Sequence, residues 1–96
     1  MALLTDAEVA QALTTLPGWS RVGDTIAREF VFSGFPAAAA FVQRLVPESE
    51  TAGHHPDITI HYRRVRVSFA THDEGGLTRR DVDGAHMATR QAEPDA

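Results

Sequence analysis

Apolar positions recur along this chain with two different spacings, and the alternation between the spacings predicts seven elements of secondary structure. Helical spacing comes first, because Val9, Leu13 and Leu16 fall on one face of a predicted helix. Thr5 and Glu8 stand at the two positions of a capping box, in which each side chain bonds the other residue's backbone N–H. We therefore expect the first helix to begin directly after Thr5.

Strand-like alternation follows in two pairs of segments. The first pair, Trp19–Val22 and Thr25–Phe32, is joined by a predicted turn at residues 23–24. The second pair is predicted to be an antiparallel hairpin, because a very short connection joins its two alternating segments. The residues that share one face of this hairpin are Ile58, Ile60 and Tyr62, then Val65, Val67 and Phe69.

A second helix is predicted between the two pairs of strands, and a third follows them. The second helix ends at Gly53 and contains Pro47. An interior proline removes a backbone hydrogen bond and costs roughly 3 kcal/mol, so we expect a kink near Val46 or a new turn at Pro47. The third helix is capped by Thr78 and contains Gly84, which makes it the softest predicted element.

The order helix, strand, strand, helix, strand, strand, helix predicts an α+β fold. A four-stranded antiparallel sheet with three helices packed on one face would bury the apolar side of each element. The other face of the sheet would be open to solvent or to another subunit. At 96 residues we expect one domain, 1–96, with a core of about residues 5–90 and ends at 1–4 and 91–96 that are free to fray.

Composition excludes several classes of protein. The chain has no cysteine, which excludes disulfides, a thiolate nucleophile and thiolate metal ligands. A formal net charge of −4 argues against nucleic-acid binding. No apolar stretch approaches the roughly 20 residues of a membrane span, and the N-terminus resembles no signal peptide, so we expect a cytoplasmic protein without membrane association. A domain this small has a modest core, so self-association would stabilise it.

Histidine is the residue type whose placement suggests chemistry. Three of the five histidines lie within residues 53–62, and Pro56 restricts His55 to extended conformations. Neighbouring side chains diverge in an extended segment, so His54 and His55 should serve different tasks. His72 closes the fourth strand, and antiparallel pairing returns that end to the start of the third strand. The imidazoles of His54, His55 and His72 are therefore expected to lie close together.

Imidazoles in such a group are suited to proton transfer, because an ordinary pKa of about 6.5 keeps both forms present at neutral pH. Glu50, Asp57 and Asp73 are near enough in sequence to orient a ring. Two other interpretations stay open. The histidines and carboxylates could ligate a metal, although their spacing matches no helical metal motif. They could also be ordinary polar loop residues, as we expect of His61 and His86.

These residues resemble the motif of the pterin-4a-carbinolamine dehydratase family. Members of that family have an acidic residue, three intervening residues and His-His-Pro, then a hairpin, Thr-His-acidic and Gly-Leu-[Ser/Thr]-x-[Arg/Lys]-Asp. The matching residues are Glu50, His54, His55, Pro56, Tyr62, Thr71, His72, Asp73, Gly76, Leu77, Thr78, Arg80 and Asp81. The resemblance extends over roughly residues 5–88 and includes Trp19.

The resemblance implies a lyase that dehydrates 4a-hydroxytetrahydropterin to quinonoid dihydropterin in tetrahydrobiopterin recycling. It implies the α+β fold predicted above, a homodimer or homotetramer, and no metal or other cofactor. Of the catalytic set, His54 and His72 would act as acid or base from the two sides of the pterin, and His55 would mainly bind the ring. The residues implied to support the site are Pro56, Glu50, Asp73 and, at the mouth of the pocket, Trp19. For Trp19 an ordinary packing role in the core is the alternative. Asp81 is expected to be a helix cap.

Several positions depart from the family pattern. Ile58 stands where an aromatic residue is frequent, and Ile60 stands where many members have asparagine. Gly84 and Ala88 replace larger apolar residues, so we expect the last helix to pack less tightly. None of these changes removes a histidine of the proposed catalytic set.

Two functions from other classes compete with the dehydratase. Some family members bind a homeodomain transcription factor as a dimerisation cofactor, and inactive relatives act in protein assembly, so a non-catalytic interaction module is the main alternative. A metal-dependent hydrolase that uses the same histidines is the other. The intact histidine trio favours the dehydratase, because a scaffold would have no use for it.

Overall fold

Two capping boxes begin the first and last helices of the computed structural model, which describes residues 2–95. Helix α1 spans Asp6–Leu13, and its predicted box closes with hydrogen bonds of 2.8 and 3.1 Å. The last helix, α3, spans Arg79–Ala92. Its N-cap is Thr78, whose backbone N–H donates to the Asp81 carboxylate at 2.9 Å. Both helices begin where the sequence predicts.

Helix α2 spans Phe35–Ala52 and continues through Pro47, so the new turn expected at this proline is not present. Pro47 is exposed, and water can bind the carbonyl oxygen that its missing N–H leaves free. The helix ends at Gly53, whose φ of 63° is left-handed and whose N–H donates to the carbonyls of Ser49 and Glu50. No described helix, α2 included, has both the length and the apolar character needed to cross a membrane.

The sheet has four antiparallel strands in the order β1-β2-β4-β3. The strands are β1 Ser20–Val22, β2 Thr25–Val31, β3 Asp57–His61 and β4 Arg64–Phe69. Because β4 pairs antiparallel with β3, the end of β4 lies beside the start of β3, with Ser68 opposite Asp57. This register carries the chain beyond β4, where His72 follows, back towards the turn that precedes β3.

The three α-helices pack on one face of the sheet, as the order of elements predicts. Along β4, Val65 and Val67 are buried under the helices, whereas the arginines that alternate with them are exposed on the open face. A charged residue on the covered face of β2, Arg28, lies with its guanidinium 4.4 Å from the centre of the Phe30 ring. This cation–π contact explains how the covered face accommodates an arginine.

Both ends that the sequence predicts to fray make defined contacts. The N–H of Leu4 donates to the carbonyl of Leu77 at 2.9 Å. Helix α3 continues to Ala92, which is buried. The fraying of the two ends stays a prediction. The terminal residues 1 and 96 lie outside the described part of the chain.

Gly84 allows α3 to pack closely on Phe69 of β4. A Cβ atom at Gly84 would lie 2.5 Å from the Phe69 ring, which is itself buried. Ala88, one turn further along α3, is fully buried as well. The expectation of loose packing in the last helix is therefore wrong at this contact, because the phenyl ring fills the space that a larger side chain at residue 84 would need.

We predict that Gly84→Ala destabilises the protein, although alanine is the better helix former. Alanine would ordinarily gain about 1 kcal/mol at a helical position, but overpacking against Phe69 should cost roughly 1–3 kcal/mol. Urea unfolding followed by circular dichroism measures the balance. Gly34→Ala, at the N-cap of α2, is the control for the available space, because the nearest atom to a Cβ there is 3.7 Å away. A gain in stability for Gly84→Ala would contradict the close contact.

Candidate active site

The end of α2 sets the positions of His54 and His55. Gly53 adopts a left-handed conformation, and the N–H of His54 donates back to the carbonyl of Ser49 at 3.2 Å. Arg80, in the first turn of α3, donates to the carbonyl of Gly53 at 2.6 Å. These bonds hold the reversal of the chain that places both histidines just before the start of β3.

The side chain of His54 turns into the protein and meets a buried carboxylate. Its Nε2 lies 2.6 Å from Oδ1 of Asp81, and its ring stacks on Phe69 with 5.8 Å between centroids. The Asp81 side chain is fully buried, and Oδ2 accepts from Thr71 Oγ1 at 2.8 Å and from the Thr78 N–H at 2.9 Å. One carboxylate thus binds donors from three separate segments.

This network determines which nitrogen of His54 carries a proton. An ionised carboxylate can only accept hydrogen bonds, so the Nε2 that faces Asp81 is the donor. In the neutral ring Nδ1 then carries the lone pair, and it has no hydrogen-bond partner among the described residues. His54 is therefore held in one tautomer with a proton acceptor available.

His55 points away from the interior and contacts a different carboxylate. Its Nε2 pairs with Oε2 of Glu50, near the end of α2, and both side chains are more than half exposed. Pro56 restricts the conformation of His55 and lines a small hollow of about 130 Å³ beside α2. The two adjacent rings thus have separate partners, one buried and one exposed.

His72 completes the group of three histidines. It begins a short 3₁₀ turn, His72–Glu74, just beyond β4 and is exposed. An open cavity of about 460 Å³, called here the histidine cleft, is lined by Gly53, His54, His55, Ala70, Thr71, His72, Asp73 and Arg80. The hairpin therefore brings the three histidines and Asp73 to one cavity.

Trp19 does not line the histidine cleft. Its indole N–H donates to Thr89 Oγ1 at 2.9 Å, its ring packs edge-on against Phe30, and the residue is only 6% exposed. The place at the mouth of the pocket that the resemblance implies is therefore wrong, because this side chain belongs to the core. His61 is exposed on β3, and His86 lies on α3, so both are outside the cleft, as predicted.

Metal-ligating side chains are not clustered in the described part of the chain. Within residues 2–95, no three histidine, cysteine, aspartate or glutamate side chains are grouped so that they could hold an ion. The adjacent rings of His54 and His55 each contact their own carboxylate instead. The geometry of these residues therefore gives no support to the metal-dependent interpretation.

Two residues next to the histidines, Asp81 and Arg80, have contacts that the sequence does not predict. Asp81 is predicted only as a helix cap; the cap is present, but the other carboxylate oxygen binds His54. Arg80 lines the cleft and holds the turn at Gly53. The capping-box spacing from Thr78 indicates Asp81 as a structured residue, but its contact with a side chain 27 residues away has no local signal.

The fold and the histidine cleft define a small α+β protein with three histidines around one cavity, and comparison with known proteins identifies its class. The family model described as Pterin 4 alpha carbinolamine dehydratase matches residues 2–91, and the chain belongs to this family. A relative from Thermomicrobium roseum, provisionally named a pterin-4-alpha-carbinolamine dehydratase, is 50% identical over 82 residues. That match covers 85% of this chain and 88% of the relative.

Solved structures share the fold. The crystal structure of a transcriptional coactivator/pterin dehydratase from Brucella melitensis has a TM-score of 0.91 and 35% sequence identity, and the match covers 95% of this chain and 99% of that one. A pterin dehydratase-like protein, described as a RuBisCO assembly factor in the alpha-carboxysome, has a TM-score of 0.65 and 20% identity over 77% of this chain and 86% of its own. The latter shows a common fold alone. The predicted α+β architecture is confirmed.

We predict that Asp81→Ala strongly destabilises the protein. Removing the carboxylate leaves His54, Thr71 and the Thr78 N–H without their acceptor in a buried place, which should lower the free energy of unfolding by roughly 2–4 kcal/mol. Chemical denaturation measures this loss. Asp83→Ala, two residues along the same helix and exposed, is the control and should change stability by no more than about 0.5 kcal/mol. Equal stability of the two variants would contradict the central place of Asp81.

Proposed function

We propose that this chain removes water from a 4a-hydroxytetrahydropterin to give the quinonoid dihydropterin. Membership of the dehydratase family supports the substrate class. The observation that carries the proposal is the contact between Nε2 of His54 and the buried Asp81, because it leaves Nδ1 as the free nitrogen of a ring that lines the same cleft as His72. This arrangement suits a reaction that consists only of proton transfers and the loss of water.

The reaction breaks the C4a–O bond and the N5–H bond of the pterin and forms a C4a=N5 double bond. Hydroxide is a poor leaving group, so an acid must protonate it while a base accepts the N5 proton. In our proposal Nδ1 of His54 is the base, and Asp81 stabilises the imidazolium that forms. A general acid or base in such a position typically contributes a factor of about 10²–10⁴.

His72 is the proposed acid. It lines the same cleft as His54 and is exposed, so solvent can restore its proton after each turnover. The substrate's hydroxyl would lie on the side of the ring that faces His72, with the N5 edge towards His54. No electron is gained or lost overall, so the chemistry requires no redox cofactor.

His55 and its neighbours are proposed to bind the ring rather than to transfer the proton. The ring of His55 contacts Glu50, and that carboxylate can hold it in a fixed orientation against the pterin. Asp73 lies on the cleft wall beside His72 and offers a carboxylate to the amino and amide N–H groups of a pterin. Pro56 supports the group by limiting the conformations of His55.

A binding function is the second candidate. The Brucella melitensis protein, 35% identical to this chain, is described both as a transcriptional coactivator and as a pterin dehydratase. A coactivator role would need no catalytic histidine, so a dehydratase assay of the purified protein tests whether binding is its sole function. A rate equal to that of the uncatalysed reaction would favour the binding function. Association into dimers or tetramers stays a prediction in either case.

We predict that His54→Gln and His72→Ala each lower kcat by about 10²- to 10⁴-fold. Glutamine can still donate an N–H to Asp81 but cannot accept the N5 proton, so this variant keeps the buried hydrogen bond while removing the base. The measurement is the decay of a carbinolamine generated by an aromatic amino acid hydroxylase.

His61→Ala is the matched control for these variants, because His61 is an exposed histidine of β3 outside the cleft. It should retain the wild-type rate. Circular dichroism establishes that each variant is folded. Wild-type turnover by folded His54→Gln and His72→Ala would exclude the proposed roles.

A further inference from the structure

Thr71 belongs to the motif that the chain shares with its family, but it has no part in the proton transfers proposed above. It directly precedes His72 and is only 2% exposed, so its side chain presents almost no surface to a ligand in the histidine cleft. The same side chain donates a hydrogen bond to Asp81, which binds His54. Thr71 is therefore connected to both proposed catalytic histidines, to one through its side chain and to the other along the backbone.

The hydrogen bonds of the Thr71 hydroxyl have a direction that follows from its partners. Its Oγ1 lies 2.8 Å from Oδ2 of Asp81 and 2.9 Å from Oγ1 of Thr78. A hydroxyl has one proton to donate, and an ionised carboxylate can only accept, so the proton of Thr71 goes to Asp81. The hydroxyl of Thr78 then donates to Thr71. The buried hydroxyl therefore cannot rotate without losing one of these bonds.

The bond from Thr71 restrains the carboxylate of Asp81. Oδ2 accepts from the Thr71 hydroxyl and from the Thr78 N–H, whereas Oδ1 accepts from Nε2 of His54 at 2.6 Å. Hydrogen bonds to a charged group are roughly twice as strong as neutral ones, so each of these donors is an effective restraint. The two donors on Oδ2 fix the plane of the carboxylate, and that plane sets the direction of the bond to the imidazole.

The backbone of Thr71 holds the turn that carries His72. Its carbonyl accepts from the N–H groups of Glu74 and Gly75 at 3.1 Å each, and its own N–H donates to the carbonyl of Gly76 at 3.3 Å. The short 3₁₀ turn is thus closed on Thr71 itself. One residue therefore sets where the proposed acid begins and how the carboxylate behind the proposed base is oriented.

We propose that Thr71 is a positioning residue of the dehydration, whose hydroxyl orients Asp81 so that the imidazole of His54 stays at a fixed distance from His72. This inference rests on the proposed dehydratase function. The substrate has to accept a proton on its hydroxyl and lose one from N5 in the same encounter, so both imidazoles must be in place together. A misplacement of about 1 Å can lower a rate about 10²-fold.

Thr71→Val removes the hydroxyl and keeps the shape of the side chain. It should lower kcat by about ten- to hundredfold, because His54 is misplaced, while KM stays within about twofold of the wild-type value, because Thr71 presents almost no surface to the substrate. Thr71→Ser restores the donor and should recover most of the wild-type kcat. The measurement is the decay of an enzymatically generated carbinolamine at several substrate concentrations.

Thr71→Cys extends the series with a thiol, which is only a weak donor. Its kcat should lie between those of the serine and valine variants. This variant also carries the test if Thr71→Val does not fold, because the cysteine side chain keeps a polar hydrogen at the same position.

Thr89→Val is the matched control, because the Thr89 hydroxyl also donates one hydrogen bond and accepts another, at 2.9 Å each. Its partners are the Ala85 carbonyl and the indole N–H of Trp19, which lie outside the histidine cleft. The control should lose stability in urea unfolding, as Thr71→Val does, but keep the wild-type kcat.

Wild-type kcat in folded Thr71→Val or Thr71→Cys would overturn the positioning role. The same conclusion follows if Thr71→Ser recovers no activity, if KM changes instead of kcat, or if kcat in Thr71→Val and Thr89→Val falls in proportion to the loss of stability. Failure of the wild-type protein to accelerate the reaction would instead overturn the dehydratase proposal and, with it, this inference.

Discussion

The buried carboxylate of Asp81 is the interaction on which the arrangement of the cleft depends. It accepts hydrogen bonds from His54, Thr71 and Thr78, which belong to the turn after α2, the segment just beyond β4 and the N-cap of α3. A buried carboxylate needs such donors, because without them its desolvation would be strongly unfavourable. The requirement to satisfy one charge therefore fixes the relative positions of the three segments that form the site.

A second contact, with the ring of Phe69, supports the imidazole of His54 on one face. His54 stacks on Phe69, and Phe69 can lie there because Gly84 of α3 has no side chain. The distance between α3 and β4 is thus matched to the size of one phenyl ring. The ring that carries the proposed base is held at its edge by Asp81 and on one face by Phe69, so both its tautomer and its plane are set before a substrate arrives.

Local sequence patterns predict the elements of this fold well, because each depends on residues a few positions apart. The capping boxes at Thr5 and Thr78 and the hairpin that carries His72 back towards His54 are of this kind. Contacts across the fold have no such signal. The hydrogen-bond partner of Trp19 is on α3, 70 residues away. The space available to a side chain at residue 84 is limited by the ring of Phe69 on β4. At Pro47 the local rule itself misleads. Helix α2 continues through this proline, because the residue is exposed and water can bind the carbonyl oxygen that lacks an N–H partner.

The contrast between the two proposed catalytic histidines follows from what the reaction requires of each. A base must present the same nitrogen in every encounter, and the 11% exposed side chain of His54, bound to a buried anion, does so. An acid that loses its proton to a departing water must regain one, which is fastest in contact with solvent, where His72 lies. The proton held on His54 also has to leave, and the open cleft gives it access to water once the product departs. A deep, closed pocket would delay both exchanges of protons with solvent. The open histidine cleft is therefore suited to the proposed reaction, in which both histidines exchange a proton with solvent in each turnover.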